Sequence, residues 1–108
     1  MLKVVIADDE ERICRLIEAL VDWKALSMEV VGTAHNGLDA CEIVKKVCPD
    51  ILITDINMPE MTGLELIQRA NELQADMKII VLTGYDRFDY ARECIRMHVE
   101  DLYLKPID

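Results

Sequence analysis

Glycine and proline are scarce in this chain, four and three among 108 residues, and aromatic side chains make up only 5%. With no Pro-, Gly- or Ser-rich stretch to act as a linker, residues 1–108 are expected to form one domain around one core. Basic residues are also in deficit, 12 Lys and Arg against 21 Asp and Glu, for a formal charge of -9. Affinity for a phosphate backbone comes from clustered Lys and Arg, so this domain by itself is not expected to bind nucleic acid. Apolar runs approaching the ~20 residues of a membrane span are missing, and the amino terminus has no secretory signal pattern. No membrane partner is therefore expected, and the expected location is cytoplasmic. The four cysteines, Cys14, Cys41, Cys48 and Cys94, show no C-x-x-C spacing. They read as buried thiols on apolar helix faces or at a helix end, acting as small hydrophobes rather than as redox or metal pairs.

What is present is an alternation of short apolar runs and amphipathic segments. Residues 3–7 (KVVIA) form a β-branched run followed at once by four acids, Asp8, Asp9, Glu10 and Glu11. Glu10 and Glu11 suit the first turn of a helix, where the macrodipole favours negative charge, whereas Asp8 and Asp9 lie before the helix begins. Ile13, Leu16, Ile17, Leu20 and Val21 repeat at helical spacing. Residues 28–34 (MEVVGTA) read as a second strand, and Asn36-Gly37 turns into a helix over 38–47 that Pro49 closes. Ile51, Leu52 and Ile53 lack polar alternation, so the third strand is buried on both faces, as in a parallel sheet covered by helices. It ends at Asp55, and Pro59 and Gly63 prevent its continuation. A helix carrying Leu64, Leu66, Ile67, Ala70 and Leu73 follows, then a fourth strand at 78–82 (KIIVL), a helix over 87–97 and a fifth strand at 101–104. The order βαβαβαβαβ implies right-handed crossovers and an α/β fold, a flavodoxin-like doubly wound five-stranded parallel sheet of order 2-1-3-4-5. A closed eight-fold barrel would need roughly 200 residues or more.

In such a sheet the carboxyl ends of the strands form one edge, and ligands bind there. That edge carries Asp8 and Asp9 after the first strand, Asp55 after the third, Thr83 after the fourth and Lys105 after the fifth. With the first and third strands adjacent, three carboxylates converge, and carboxylates that close repel unless a cation neutralises them. Hard oxygen donors beside solvent suit Mg²⁺. Thr83 adds a hydroxyl donor and Lys105 a positive charge, a pair that stabilises an anion. A phosphoryl group on Asp55 satisfies every element, with Asp55 as nucleophile.

The motifs VVIADDEE, DILITDINMPEMTGLELI, KIIVLTGY and LYLKPI together resemble the receiver domain of two-component response regulators over the whole chain. The resemblance implies that Asp55 is the phosphoacceptor and takes its phosphoryl group from a histidine of a sensor histidine kinase. It implies Mg²⁺ held by Asp9, Asp55 and the backbone carbonyl of Asn57, with Asp8 acting through water. It further implies that Lys105 contacts the phosphoryl group and that Thr83 moves inward when Asp55 is modified. Such a domain is a signalling module rather than an enzyme, promoting only its own phosphorylation and dephosphorylation. The segments VDWKALSMEVVGTAHNG and TGYDRFDYARECIRMHVEDLYLKPID look like receivers that precede an AraC-type helix-turn-helix domain. Any transcriptional DNA binding would then belong to a downstream output domain absent from this chain.

Two departures from the family pattern stand out. An aromatic residue usually lies three places before the lysine, and here that place holds Leu102, with Tyr103 on the opposite side of the strand. The chain also stops at Asp108, where the family's fifth helix should begin, so the final helix is expected to be truncated and an apolar sheet face left open. The main rival is a phosphatase of the haloacid dehalogenase type, which also uses a strand-end aspartate with Mg²⁺. It needs a second aspartate two residues on as general acid, and Asn57 cannot donate and retrieve that proton. A flavodoxin-like cofactor binder would need a Ser/Thr- or Gly-rich phosphate loop where this chain has four acids. Histidines 35 and 98 are expected at the surface, away from the acidic edge. The open face is expected either to be covered by a second molecule, as in a homodimer, or to leave the fold poorly stable; sedimentation of the chain as a stable monomer would count against self-association.

Overall fold

The apolar runs form strands where their patterning places them. The computed structural model describes residues 1–55, 58, 60–73, 76–83 and 101–104. Among these, the strands are β1 (Leu2–Ala7), β2 (Met28–Ala34), β3 (Ile51–Asp55), β4 (Lys78–Thr83) and β5 (Asp101–Leu104). The helices are α1 (Glu11–Leu20), α2 (Gly37–Val47) and α3 (Gly63–Leu73). All strand pairings are parallel, and the sheet order is β2-β1-β3-β4-β5, as expected from the sequence. The expected helix over 87–97, with Cys94, and His98 lie outside the described residues.

Alternation along the strands divides the core between the two faces of the sheet. Val5, Ala7, Leu52, Ile79 and Val81 pack with α2 and α3, through Ala40, Cys41, Val44, Leu66, Ile67 and Ala70. Val4, Ile6, Ile51, Ile53 and Leu82 pack with Ile13, Cys14 and Ile17 of α1 on the other face. The helices therefore lie on both sides of the sheet, the doubly wound arrangement. On the α1 face a groove of about 350 Å³ is lined by Val4, Trp23, Leu26, Met28, Ile51 and Ile80, among others.

Two expectations about burial are corrected. Leu20, read on the apolar face of its helix, and Leu73, read as flanking one, are exposed, each in the last turn of its helix. Cys48 is an exposed thiol, since it follows the last turn of α2 in a left-handed conformation with φ 47°; Cys14 and Cys41 are buried as expected.

The end of the sheet away from the acids is tied by Asp50. Its amide donates to the Lys3 carbonyl, its carboxylate accepts from the Lys3 amide at 2.8 Å, and its carbonyl accepts from the Lys78 amide. One residue thus fixes β1, β3 and β4 in register, which in turn fixes the opposite ends of the same strands. Helix starts are set locally. Asn36 caps α2 by accepting from the Asp39 amide at 2.7 Å, and at α3 the Thr62 hydroxyl accepts from the Glu65 amide at 3.3 Å while donating to the Glu65 carboxylate at 3.5 Å.

Gly32 and Gly37 mark places where a side chain has no room. The β1–β2 register shifts between Val4 and Val5, and Gly32 of the irregular stretch receives Ile43 of α2. At Gly37 a methyl group would strike the backbone carbonyl of Met61, so the start of α2 closes directly on the loop that precedes α3. Backbone cannot swing aside as a side chain can. Gly37→Ala is expected to destabilise the fold by about 3 kcal/mol, measured by urea unfolding; a loss under about 0.5 kcal/mol would contradict this packing.

Candidate functional site at the carboxyl edge

Strand register alone brings the acids together. Ala7 pairs with Thr54, so one residue further Asp8 is level with Asp55. Asp55 closes β3 and shares the parity of Ile51 and Ile53, which places it on the α1 side of the sheet. Asp8, Asp9 and Asp55 each direct a carboxylate oxygen to one region, all within 4.8 Å of one another. Asp8 and Asp55 are buried, with 1% and 6% exposure, while Asp9 is exposed. The cluster therefore has a buried floor and an open side.

Asp8 and Asp55 are held by their surroundings. The Asp8 amide donates to the Ala34 carbonyl at 3.0 Å, continuing the β1–β2 ladder past the strand end. The Asp8 side chain accepts from the Glu10 amide at 2.9 Å, so it also leads the chain into α1, whose first turn has no cap from Glu10 itself. Beneath Asp55, fully buried Thr54 donates its hydroxyl to the Asp55 carbonyl at 2.8 Å. Glu60 follows on a positive φ of 70°, in the loop leading to α3.

The donor set is all oxygen, carboxylates of both buried and exposed character. Mg²⁺ binds through one or two carboxylates and keeps several waters, so a cluster open on one side fits it. The mutual repulsion of three acids this close is relieved by such a cation. Of the remaining expected site residues, Asn57, Lys105 and the side chain of Thr83 lie outside the described residues, as do the side chains of Leu102 and Tyr103. The backbone of Thr83 pairs with Leu104, which sets the ends of β4 and β5 level at this edge.

His35 is exposed, as expected, but the structure corrects its expected place away from the acidic edge. It directly follows β2, and its Nδ1 lies 3.1 Å from the Asp8 carbonyl oxygen. The signal was available in the pairing of β1 with β2, since Ala7 opposite Ala34 makes His35 level with Asp8. Cys14, read only as a small hydrophobe, also reaches this point, with Sγ 3.8 Å from the same oxygen.

A doubly wound parallel domain with acids clustered at its carboxyl edge defines the class of protein. The family model for the response regulator receiver domain matches residues 4–108, and the chain belongs to that family. It is 38% identical over 106 residues to the transcriptional regulatory protein YesN of Bacillus subtilis, covering 98% of this chain and 29% of that protein. It is 36% identical over 108 residues to the transcriptional regulatory protein HptR of Staphylococcus aureus, covering all of this chain and 42% of that protein. The chain thus spans less than half the length of these curated relatives. The solved receiver (REC) domain of AraT, a response regulator from Geobacillus stearothermophilus, superposes with a TM-score of 0.95 at 45% identity, covering 99% of this chain and 83% of that one. A two-component transcriptional regulator AraC from Clostridium phytofermentans gives 0.85 at 34% identity, covering 100% and 82%. Receiver domains are signalling modules of two-component systems, served by sensor histidine kinases, and they generally bind Mg²⁺ at an acidic pocket. No helix among the described residues is long and apolar enough to cross a membrane.

The crowding of acids predicts opposite effects of one substitution. Without divalent cation, Asp9→Asn is expected to raise stability by about 1 kcal/mol through relief of repulsion. The same change should weaken Mg²⁺ binding about tenfold. Thermal unfolding in EDTA and calorimetric titration with Mg²⁺ read the two effects; a variant less stable in EDTA and unchanged in Mg²⁺ affinity would contradict the clustering.

Proposed function

We propose that the chain is the phosphoacceptor module of a response regulator, with Asp55 taking the phosphoryl group of a sensor kinase phosphohistidine. The observation that supports this reading above others is the convergence of the Asp8, Asp9 and Asp55 carboxylates within 4.8 Å at the end of buried strands. An Asp55 oxygen attacks phosphorus as the phosphorus–nitrogen bond breaks. The electron pair leaves with the imidazole, and an acyl phosphate forms on Asp55. Asp9 and Asp55, with the Asn57 carbonyl, would hold Mg²⁺, and Asp8 would act through water; the bound ion supplies positive charge for the phosphoryl oxygens. Lys105 is assigned to a phosphoryl oxygen and Thr83 to a hydrogen bond with the modified Asp55.

Asp55 lies on the buried floor of the cluster. Only the phosphoryl oxygens need to face the open side, where Asp9 lies. The change on Asp55 would be read by an output domain. The transcriptional relatives support a DNA-binding one. DNA contact through that domain agrees with the charge of -9 on this one.

Acetyl phosphate with Mg²⁺ is expected to give a stoichiometric, hydroxylamine-sensitive acyl phosphate, with acetate as the leaving group. Asp55→Asn should abolish it, and EDTA should suppress it in the native chain. Repeated turnover of a phosphomonoester would instead establish the haloacid dehalogenase-type phosphatase and overturn this reading.

A further inference from the structure

The peptide that joins Asp8 to Asp9 is gripped from outside the acidic cluster by two side chains on different elements. His35, just past β2, has Nδ1 3.1 Å from the Asp8 carbonyl oxygen. Since a carbonyl only accepts, Nδ1 carries the hydrogen and donates it. Cys14 of α1 sets Sγ 3.8 Å from the same oxygen and 4.0 Å from His35 Nδ1. A thiol is a weak donor, so the imidazole supplies the stronger bond and the buried sulfur limits its movement. The oxygen belongs to the one peptide plane that links two of the three clustered acids.

Peptide planarity makes that grip consequential. With the Asp8 carbonyl fixed, the Asp9 nitrogen and Cα are fixed with it, because six atoms share the plane. The Asp8 amide is already bound to the Ala34 carbonyl and the Asp8 carboxylate to the Glu10 amide. What these leave adjustable is rotation of the Asp8–Asp9 peptide, which would swing the exposed Asp9 carboxylate away from Asp55. Repulsion among the three carboxylates acts along that rotation.

We infer that His35 is a positioning residue for Mg²⁺: its bond to the Asp8 carbonyl, backed by Cys14, holds the Asp8–Asp9 peptide in the orientation that aims both acids at Asp55. This rests on the reading of the acidic cluster as the Mg²⁺ site. His35 touches neither the ion nor the phosphoryl group in this scheme. It lowers the reorganisation needed when the cation arrives.

The test is calorimetric titration of Mg²⁺ into the native chain and the variants His35→Ala, His35→Asn and Asp9→Asn, with thermal unfolding of each in EDTA. His35→Ala is expected to weaken Mg²⁺ binding about tenfold with little change in unfolding in EDTA. His35→Asn, whose amide can donate from a similar place, should recover most of the affinity, which mere filling of space would not do. Native-like affinity in His35→Ala, with Asp9→Asn weakened in the same series, would overturn the positioning role and leave the cluster assignment intact. Equal loss in His35→Ala and His35→Asn would also overturn it. A native chain that does not bind Mg²⁺ would overturn the cluster assignment and this inference with it.

Discussion

Mutual repulsion among three carboxylates is the constraint on which the rest of this structure bears. Holding Asp8, Asp9 and Asp55 within 4.8 Å opposes folding, so the scaffold around them has to be stiff. Stiffness comes from buried parallel strands. β1 and β3 are neighbours, their side chains are packed on both faces, and neither can slip by one residue without turning its apolar set outward. The acids sit where the strands stop and inherit their precision.

That precision is set at both ends of the sheet. Asp50 ties Lys3 of β1 and Lys78 of β4 to the start of β3 at the far edge, and the Asp8 amide extends the β1–β2 ladder at the near edge. Gly37, at the start of α2, closes on the backbone of Met61 in the loop that leads into α3. Against this rigid frame, an exposed Asp9 beside buried Asp8 and Asp55 is a useful asymmetry. The buried pair is shielded from water, and the exposed acid leaves the cluster open to hydrated ions on one side.

The alternation of strands and helices, the parallel sheet and its order could all be read from apolar runs and their spacing. The absence of polar alternation at Ile51, Leu52 and Ile53 requires burial on both faces, and that requires helices on both sides. Asp8, Asp9 and Asp55 were legible for the same reason, as polar exceptions at the ends of buried runs. Leu20 was misread because helical periodicity shows which face is apolar but not whether the last turn of that face is covered. Cys48 was misread because a residue just past a helix end can be carried outward by one left-handed backbone step.

What the sequence by itself determined is the class of fold and the three acids, because burial and period depend on side-chain type in chain order. What only the tertiary structure decided is the contact that crosses the chain: His35 and Cys14 meeting at the Asp8 carbonyl, 27 and 6 residues away along the sequence. The physical reason is that this oxygen belongs to the backbone, identical at every residue, so no residue type marks it. Its partners are defined solely by how β2 and α1 are laid beside the end of β1.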